Sequence, residues 1–171
     1  MNANDLRTLF EYNDWASARI MRVLLEVTPE QFTAPNNSSY GSLRGTLVHI
    51  LRSVMIWRQR LRGDPMPAGI PVETDFPTPQ VLYEAWKAEE ALMRADLQGL
   101  SDADVQKVIE YKSSKTADQG LAYKNKLGEI LTHVVNHGTQ HRAEAAAMLT
   151  DFNHSPGDLD LILYFREKGS Q

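Results

Sequence analysis

The sequence predicts an all-α protein built as a four-helix bundle, and three observations support this prediction. Four stretches carry apolar residues at alternating steps of three and four, the spacing that gives a helix one buried face. A long proline-rich connection separates the second stretch from the third, which suits a crossover between distant helices or a lid. The 171 residues, 42% of them hydrophobic, are enough for a single domain over 1–171 with a substantial core.

The first long helix is predicted over residues 6–27. Its apolar seam is interrupted by two polar residues, Asn13 and Ser17. They form either a hydrogen-bonded pair that the interior tolerates or a polar patch beside a functional site, and the pattern leaves both interpretations open.

The second long helix is predicted to follow a loop rich in turn-forming residues over 33–41. Ser42 is a plausible N-cap, and the apolar stripe continues to about Leu61. The chain between Gly63 and Pro79 then contains five prolines and reads as a long connection.

The remaining elements are predicted from the C-terminal half of the chain. A third helix begins at Thr78 or Pro79 and ends near Gly99. Residues 103–126 read as a small excursion with a polar tip, either a β-hairpin or an irregular segment. The fourth long helix covers 127–150, and a short closing helix covers 159–166.

The fourth helix carries three of the five histidines, His133, His137 and His141, at every fourth position. Each such step turns the side chain by about 40° and rises about 6 Å, so all three lie on one side of the helix. His133 and His141 are about 12 Å apart along the axis, too far to share one ion through bonds of about 2.0–2.1 Å. The apolar pattern places His141 nearest the buried stripe, His137 next and His133 furthest out. We therefore predict His137 and His141 as an inward-facing pair, with His133 at the rim or on the surface.

A third ligand for a metal ion would have to come from another helix. His154 follows the fourth helix in a loop, where we expect it to be exposed, so His49 is the candidate. His49 lies off the centre of its apolar stripe, a position more typical of an ordinary, partly buried histidine. The inward pair also has a second interpretation, a hydrogen-bonded pair in the core, although burying two imidazoles without a partner is costly.

Composition excludes several classes of protein. The absence of cysteine rules out disulfides, thiolate ligands and a cysteine nucleophile, so metal chemistry would depend on His, Asp, Glu and water. The net charge of −4 argues against a nucleic-acid partner. No apolar run is long enough to cross a bilayer, and the first residues lack the apolar segment of a signal peptide. We therefore expect a cytoplasmic protein without a membrane partner.

Five segments, taken in chain order, carry a resemblance to a known family. They are residues 12–16 (YNDWA), 39–50 (SYGSLRGTLVHI), 57–63 (a tryptophan followed by LRG), 133–142 (HVVNHGTQHR) and 156–160 (PGDLD). Together they resemble the DinB family, the DinB/YfiT-like metal-binding four-helix bundles, over nearly the whole chain. The resemblance implies a divalent metal ion bound by one histidine of the second helix and two of the fourth. By motif, these match His49, His137 and His141.

One departure from the family pattern concerns Glu144. Where relatives often continue His-Arg-Gly-Gln, this chain has Glu144 one turn beyond His141. The carboxylate would orient His141, add negative charge near the ion, or simply lie on the helix surface. Asn13, Ser17, His133 and Glu144 are thus the pocket candidates, and no residue stands out as a general base.

Three neutral histidines leave open positions on a divalent ion, which is typical of a catalytic rather than a structural metal. Zinc and nickel both suit imidazole ligands. The ion would activate water or an external low-molecular-weight thiol. The resemblance implies a thiol transferase or a hydrolase that acts on a small molecule, and it implies a homodimer. The alternatives are a metal-binding protein without catalytic activity and a structural or interaction bundle whose histidines are only packed.

Overall fold

The computed structural model describes residues 1–63, 69–112 and 120–169, and it confirms the predicted four-helix bundle. The long helices are α1 (Ala3–Leu24), α3 (Leu43–Arg62), α4 (Pro79–Gln98) and α6 (Leu127–Asp151). The short helices are α2 (Pro29–Thr33), α5 (Asp102–Val105) and α7 (Leu161–Gly169), and a 3₁₀ turn covers Glu73–Asp75. Two strands, β1 (Val108–Lys112) and β2 (Ala122–Lys126), precede α6.

Polar side chains fix where the long helices begin. The Ser42 hydroxyl accepts a hydrogen bond from the Gly45 amide at 2.9 Å, which confirms the predicted N-cap of α3. Thr78 caps α4 in the same way, with a proline at the first helical position. Asn2 and Asp5 form a capping box, so α1 begins three residues earlier than the apolar pattern predicted.

The excursion before α6 is a β-hairpin, as predicted. The strands pair antiparallel, with Tyr111 opposite Tyr123 and Val108 opposite Lys126. The predicted polar tip at residues 113–119 lies outside the described part of the chain. The hairpin leads directly into α6, and it also contacts α3.

The long helices form a ring in which α6 packs against α1 and α3, and α4 packs against the same two helices on the other side. The chain therefore crosses the bundle diagonally between α1 and α3 and again between α4 and α6. The proline-rich connection, of which residues 64–68 are not described, joins the neighbouring helices α3 and α4. Helix α3, which carries His49, packs directly against α6, which carries His137 and His141.

The core consists of two apolar clusters separated by a polar layer. The first includes Ile20, Leu24, Leu47, Leu82 and Leu149. The second includes Leu6, Phe10, Met93, Leu131 and Val134. Between them along the helices lie three buried polar side chains, Ser17, Glu89 and Arg142. His137 and His141 of α6 lie at the level of this polar layer.

Arg142, only 1% exposed, is the centre of the layer. Its Nη1 donates to Asn13 Oδ1 at 2.5 Å and to Ser17 Oγ at 3.5 Å, and Nη2 donates to Thr139 Oγ1 at 3.2 Å. A Cβ on Gly138 would lie 2.8 Å from Arg142 Nη1, so the glycine leaves the room that the guanidinium occupies. The two polar residues in the seam of α1 are therefore partners of a buried arginine.

Candidate metal centre

Three histidines from two helices converge where α3 packs against α6. His49 projects from α3, and His137 and His141 project from successive turns of α6. One side-chain nitrogen of each lies within 4.8 Å of the others. His141 is 5% exposed, whereas the other two are half-buried. The cluster is thus closed on the side of His141 and open on the side of His49 and His137.

The spacing of the imidazole nitrogens suits a single ion. His49 Nε2 lies 2.8 Å from His137 Nε2, and the His141 ring centre is 4.8 Å from that of His49 and 4.6 Å from that of His137. Nitrogens bound to one zinc-sized ion lie about 3 Å apart, because each bond is about 2.0–2.1 Å long. Since Nδ1 of His141 contacts a carboxylate, its Nε2 is the nitrogen left for the cluster.

The environment keeps two of the rings neutral. Burial lowers the pKa of His49 to about 4, with further lowering from His141 and Arg52. Burial also lowers the pKa of His137 to about 3, and the neighbouring histidines add to the effect. A neutral imidazole is the form that binds metal, so at neutral pH these two side chains need lose no proton.

Tyr40 belongs to the cluster, although we predicted no role for it from the sequence. Its ring stacks on His49 with centres 3.8 Å apart, and its hydroxyl lies 2.8 Å from His49 Nε2. Gly45 lets the loop that carries Tyr40 approach α3 closely. Any other residue at this position would place its Cβ 2.2 Å from the Tyr40 carbonyl oxygen. Burial and the nearby Glu144 raise the pKa of the Tyr40 hydroxyl, which therefore stays protonated at neutral pH.

Glu144 lies beside His141 rather than on an isolated stretch of helix surface. Its Oε2 is 3.1 Å from His141 Nδ1, and its Oε1 accepts a hydrogen bond from the Ser39 hydroxyl at 2.7 Å. Burial alone would raise the pKa of Glu144, but the hydrogen bonds from Ser39 and His141 outweigh it, and the net pKa is lowered. The side chain is thus a carboxylate at neutral pH, and it is placed to fix the orientation of the His141 ring.

The other candidate residues lie outside the cluster. His133 is exposed, with its ring edge against Trp57 at 5.6 Å between centres. Asn13 and Ser17 contact Arg142, one position beyond His141, and touch no histidine in the described contacts. His154 lies beyond the C-terminal end of α6 and is 3.3 Å from Glu26.

A cleft of about 920 Å³ opens beside the cluster. The three histidines of the cluster and Tyr40 line it. His133 also lines it, with its ring centre 5.7 Å from that of His137 and 5.6 Å from that of Trp57. The lining also includes Trp57 and Arg60 of α3 and both tyrosines of the hairpin. A small molecule would therefore have room beside the histidine nitrogens.

Fold and site together define a class: a helical bundle in which three histidines, one from α3 and two from α6, meet at an open cleft. The chain matches the model of the DinB family over residues 1–169 and belongs to that family, which confirms the resemblance found in the sequence.

Two relatives show the extent of the likeness. The Protein DinB of Bacillus subtilis (strain 168) is 24% identical over 156 residues, which cover 91% of this chain and 91% of that protein. The crystal structure of a conserved protein from Enterococcus faecalis matches with a TM-score of 0.63 at 14% identity, covering 86% of this chain and 95% of that one. At that identity, the second comparison shows a common fold.

Within the described ranges, none of the helices has both the length and the apolar character needed to cross a membrane.

Proposed function

We propose that His49, His137 and His141 bind one divalent metal ion and that the protein is a metal-dependent enzyme acting on a small molecule in the adjoining cleft. The observation that carries this proposal is the convergence of the three ring nitrogens within 4.8 Å at an open cleft. A structural metal site is normally closed by four protein ligands, whereas three ligands beside a cleft leave room for a substrate.

The residues of the chain have separate parts in this proposal. His49 and His137 offer neutral nitrogens because burial lowers the pKa of both rings. Glu144 holds His141 through Nδ1 and so directs the other nitrogen of the ring toward the cluster. Tyr40 covers one face of His49 and keeps its hydroxyl beside the metal-binding nitrogen.

A bound ion would act as a Lewis acid that lowers the pKa of a water or thiol placed on it. Zinc and nickel both fit a set of three imidazoles. Since the chain has no cysteine, a thiol would be an external, low-molecular-weight compound. The proposed reactions are transfer of a thiol to an electrophile and hydrolysis.

Metal content tests the first half of the proposal. We expect elemental analysis of the native protein to find about one zinc or nickel ion per chain. His49→Ala, His137→Ala and His141→Ala should each lose it, because each removes one of three ligands. His133→Ala and His154→Ala, outside the cluster, are matched controls that should retain the ion. Retention of stoichiometric metal in all three cluster variants would mean that the histidines are only packed.

Turnover measurements test the second half of the proposal, that the protein is an enzyme. The metal-loaded protein should react with a panel of thiol and electrophile pairs or with a panel of esters and amides. The His137→Ala protein should show no such activity. Full metal occupancy with no turnover in either panel would instead favour a metal-binding protein without catalytic activity.

The homodimer and the cytoplasmic location expected from the sequence remain proposals. A light-scattering mass equal to a single chain would contradict the homodimer.

A further inference from the structure

The part of the cleft away from the histidine cluster has an aromatic wall built around a cation. The Arg60 guanidinium lies 4.7 Å from the Trp57 ring centre and 5.1 Å from that of Tyr111. These two rings meet edge to face at 4.9 Å, and Tyr123 stacks on Tyr111. The wall thus joins α3 to both strands of the hairpin.

Arg60 is held in place, and its contacts with the described residues leave most of its N–H donors unused. Its Nη2 donates to the Lys112 carbonyl oxygen at 2.9 Å, one of five N–H donors that a guanidinium carries. No carboxylate in the described part of the chain lies within ion-pair distance of it. Burial lowers the pKa of Arg60, yet a guanidinium stays charged in proteins, so Arg60 gives the cleft wall a fixed positive charge.

The cation and the histidines face the same cleft at a separation that a small molecule can span. Trp57, which packs on Arg60, is 5.6 Å from His133, and His133 is 5.7 Å from His137. A ligand with one end at the histidines would therefore pass His133 and Trp57 and place its other end at Arg60.

We propose that Arg60, with Trp57 and Tyr111, forms a subsite for a carboxylate at the far end of the substrate. This inference rests on the proposed function, because it places the other end of the substrate at the metal. A carboxylate fits better than a phosphate, since Arg60 is the only lysine or arginine among the described residues of the cleft lining. The carboxylate of Glu129 on the same lining also disfavours a more highly charged anion.

Matched thiols test the subsite without requiring catalysis. The protein is loaded with cobalt(II), and binding is followed by the thiolate-to-cobalt absorption band. The probes are thiol carboxylates of increasing length, from mercaptoacetate to mercaptooctanoate, each compared with the thiol alcohol of the same length. We expect both series to produce the band. At the length that reaches Arg60, the carboxylate should bind about 10- to 100-fold more tightly, as for a hydrogen bond between charged groups.

Variants locate the effect. Arg60→Gln should reduce the preference for the carboxylate to about that of the alcohol, and Arg60→Lys should retain part of it. Arg22→Gln removes the same charge from the exposed surface of α1 and should leave the preference unchanged. Equal affinity for carboxylate and alcohol at every length in the unaltered protein would overturn the subsite.

The outcomes separate this inference from the proposed function. Absence of cobalt binding or of the thiolate band would contradict the metal site itself, whatever Arg60 does. A normal band with no carboxylate preference would leave the metal site intact and remove the subsite. Tighter binding of a thiol phosphonate than of the matched carboxylate would mean that the subsite binds a phosphate-like anion and not a carboxylate.

Discussion

At the scale of single residues, the site depends on what surrounds each imidazole. Glu144 is the clearest case, because it connects Ser39 of the loop before α3 to His141 of α6. A carboxylate on the distal ring nitrogen increases the basicity of the other nitrogen and fixes the ring. The neutral amide of a glutamine at position 144 would have a weaker effect on the His141 ring than the carboxylate has.

Glu144→Gln is therefore expected to weaken metal binding by about 10- to 100-fold. A competition titration against a chromogenic chelator measures the change. Glu26→Gln is the matched control, because Glu26 contacts His154 in the same manner outside the cluster. Unchanged affinity in Glu144→Gln would mean that the carboxylate does not act on the ion.

At the scale of elements, α6 supplies residues to the histidine cluster from one side and to the polar layer from another. One side directs His137 and His141 toward α3, and another directs Arg142 into the polar layer against α1. Gly138 belongs to the second side, since its missing side chain leaves space for the guanidinium. The bundle interior and the metal cluster are thus fixed by neighbouring residues of one helix.

Gly138→Ala is expected to destabilise the protein, although alanine is the better helix former. The added Cβ would lie 2.8 Å from Arg142 Nη1 and 3.0 Å from Asn13 Oδ1, so a buried charged group would have to move. We expect a loss of about 1–3 kcal/mol in the free energy of unfolding, measured by urea denaturation. Gly169→Ala, where the new Cβ meets nothing within 4 Å, should not cause this loss.

At the scale of the whole molecule, two acidic side chains, Asp14 and Glu90, lie close to Arg142 of the polar layer, and the pKa of each is raised. Burial raises the pKa of Glu90 to about 7, and the neighbouring Asp14 adds to the rise. Burial also raises the pKa of Asp14, despite its hydrogen bond from Arg94. The charged groups facing Glu90 are Asp14 from α1, Arg94 from α4 and Arg142 from α6.

This layer predicts a pH dependence of stability. A folded pKa above the ordinary value of 4.5 means that the folded state holds the proton of Glu90 more tightly than the unfolded state does. The contribution of the Glu90 carboxyl group to stability is complete below pH 4.5 and is lost as the pH rises through about 7. Glu90→Gln should therefore stabilise the protein at pH 8, by up to about 3 kcal/mol relative to the unaltered protein.

Urea denaturation at pH 5 and pH 8 measures the Glu90 effect. Glu84→Gln, a fully exposed position on the same helix, serves as the control and should not reproduce it. A Glu90→Gln protein whose stability follows the same pH course as the unaltered protein would contradict the prediction.

Much of this architecture could be predicted from the sequence because it depends on local regularities. The three-four spacing of apolar residues identified all four long helices, and Ser42 marked the start of α3. The relative inward order of His133, His137 and His141 followed from the same spacing, and their exposure agrees with it. The packing of α3 on α6, by contrast, is a relation between distant segments, and the position of His49 on its helix did not reveal it.

The sequence by itself determined the four long helices and the absence of thiol ligands, since these follow from periodicity and composition. The family resemblance implied that His49 joins the α6 histidines, and the tertiary structure showed the contact. Only the tertiary structure placed Tyr40 over His49, and Asn13 and Ser17 against Arg142. It also placed Arg60 between two rings on the cleft wall. The physical reason is that periodicity along one chain specifies which face of a helix is buried, whereas the partner of that face depends on how the helices pack.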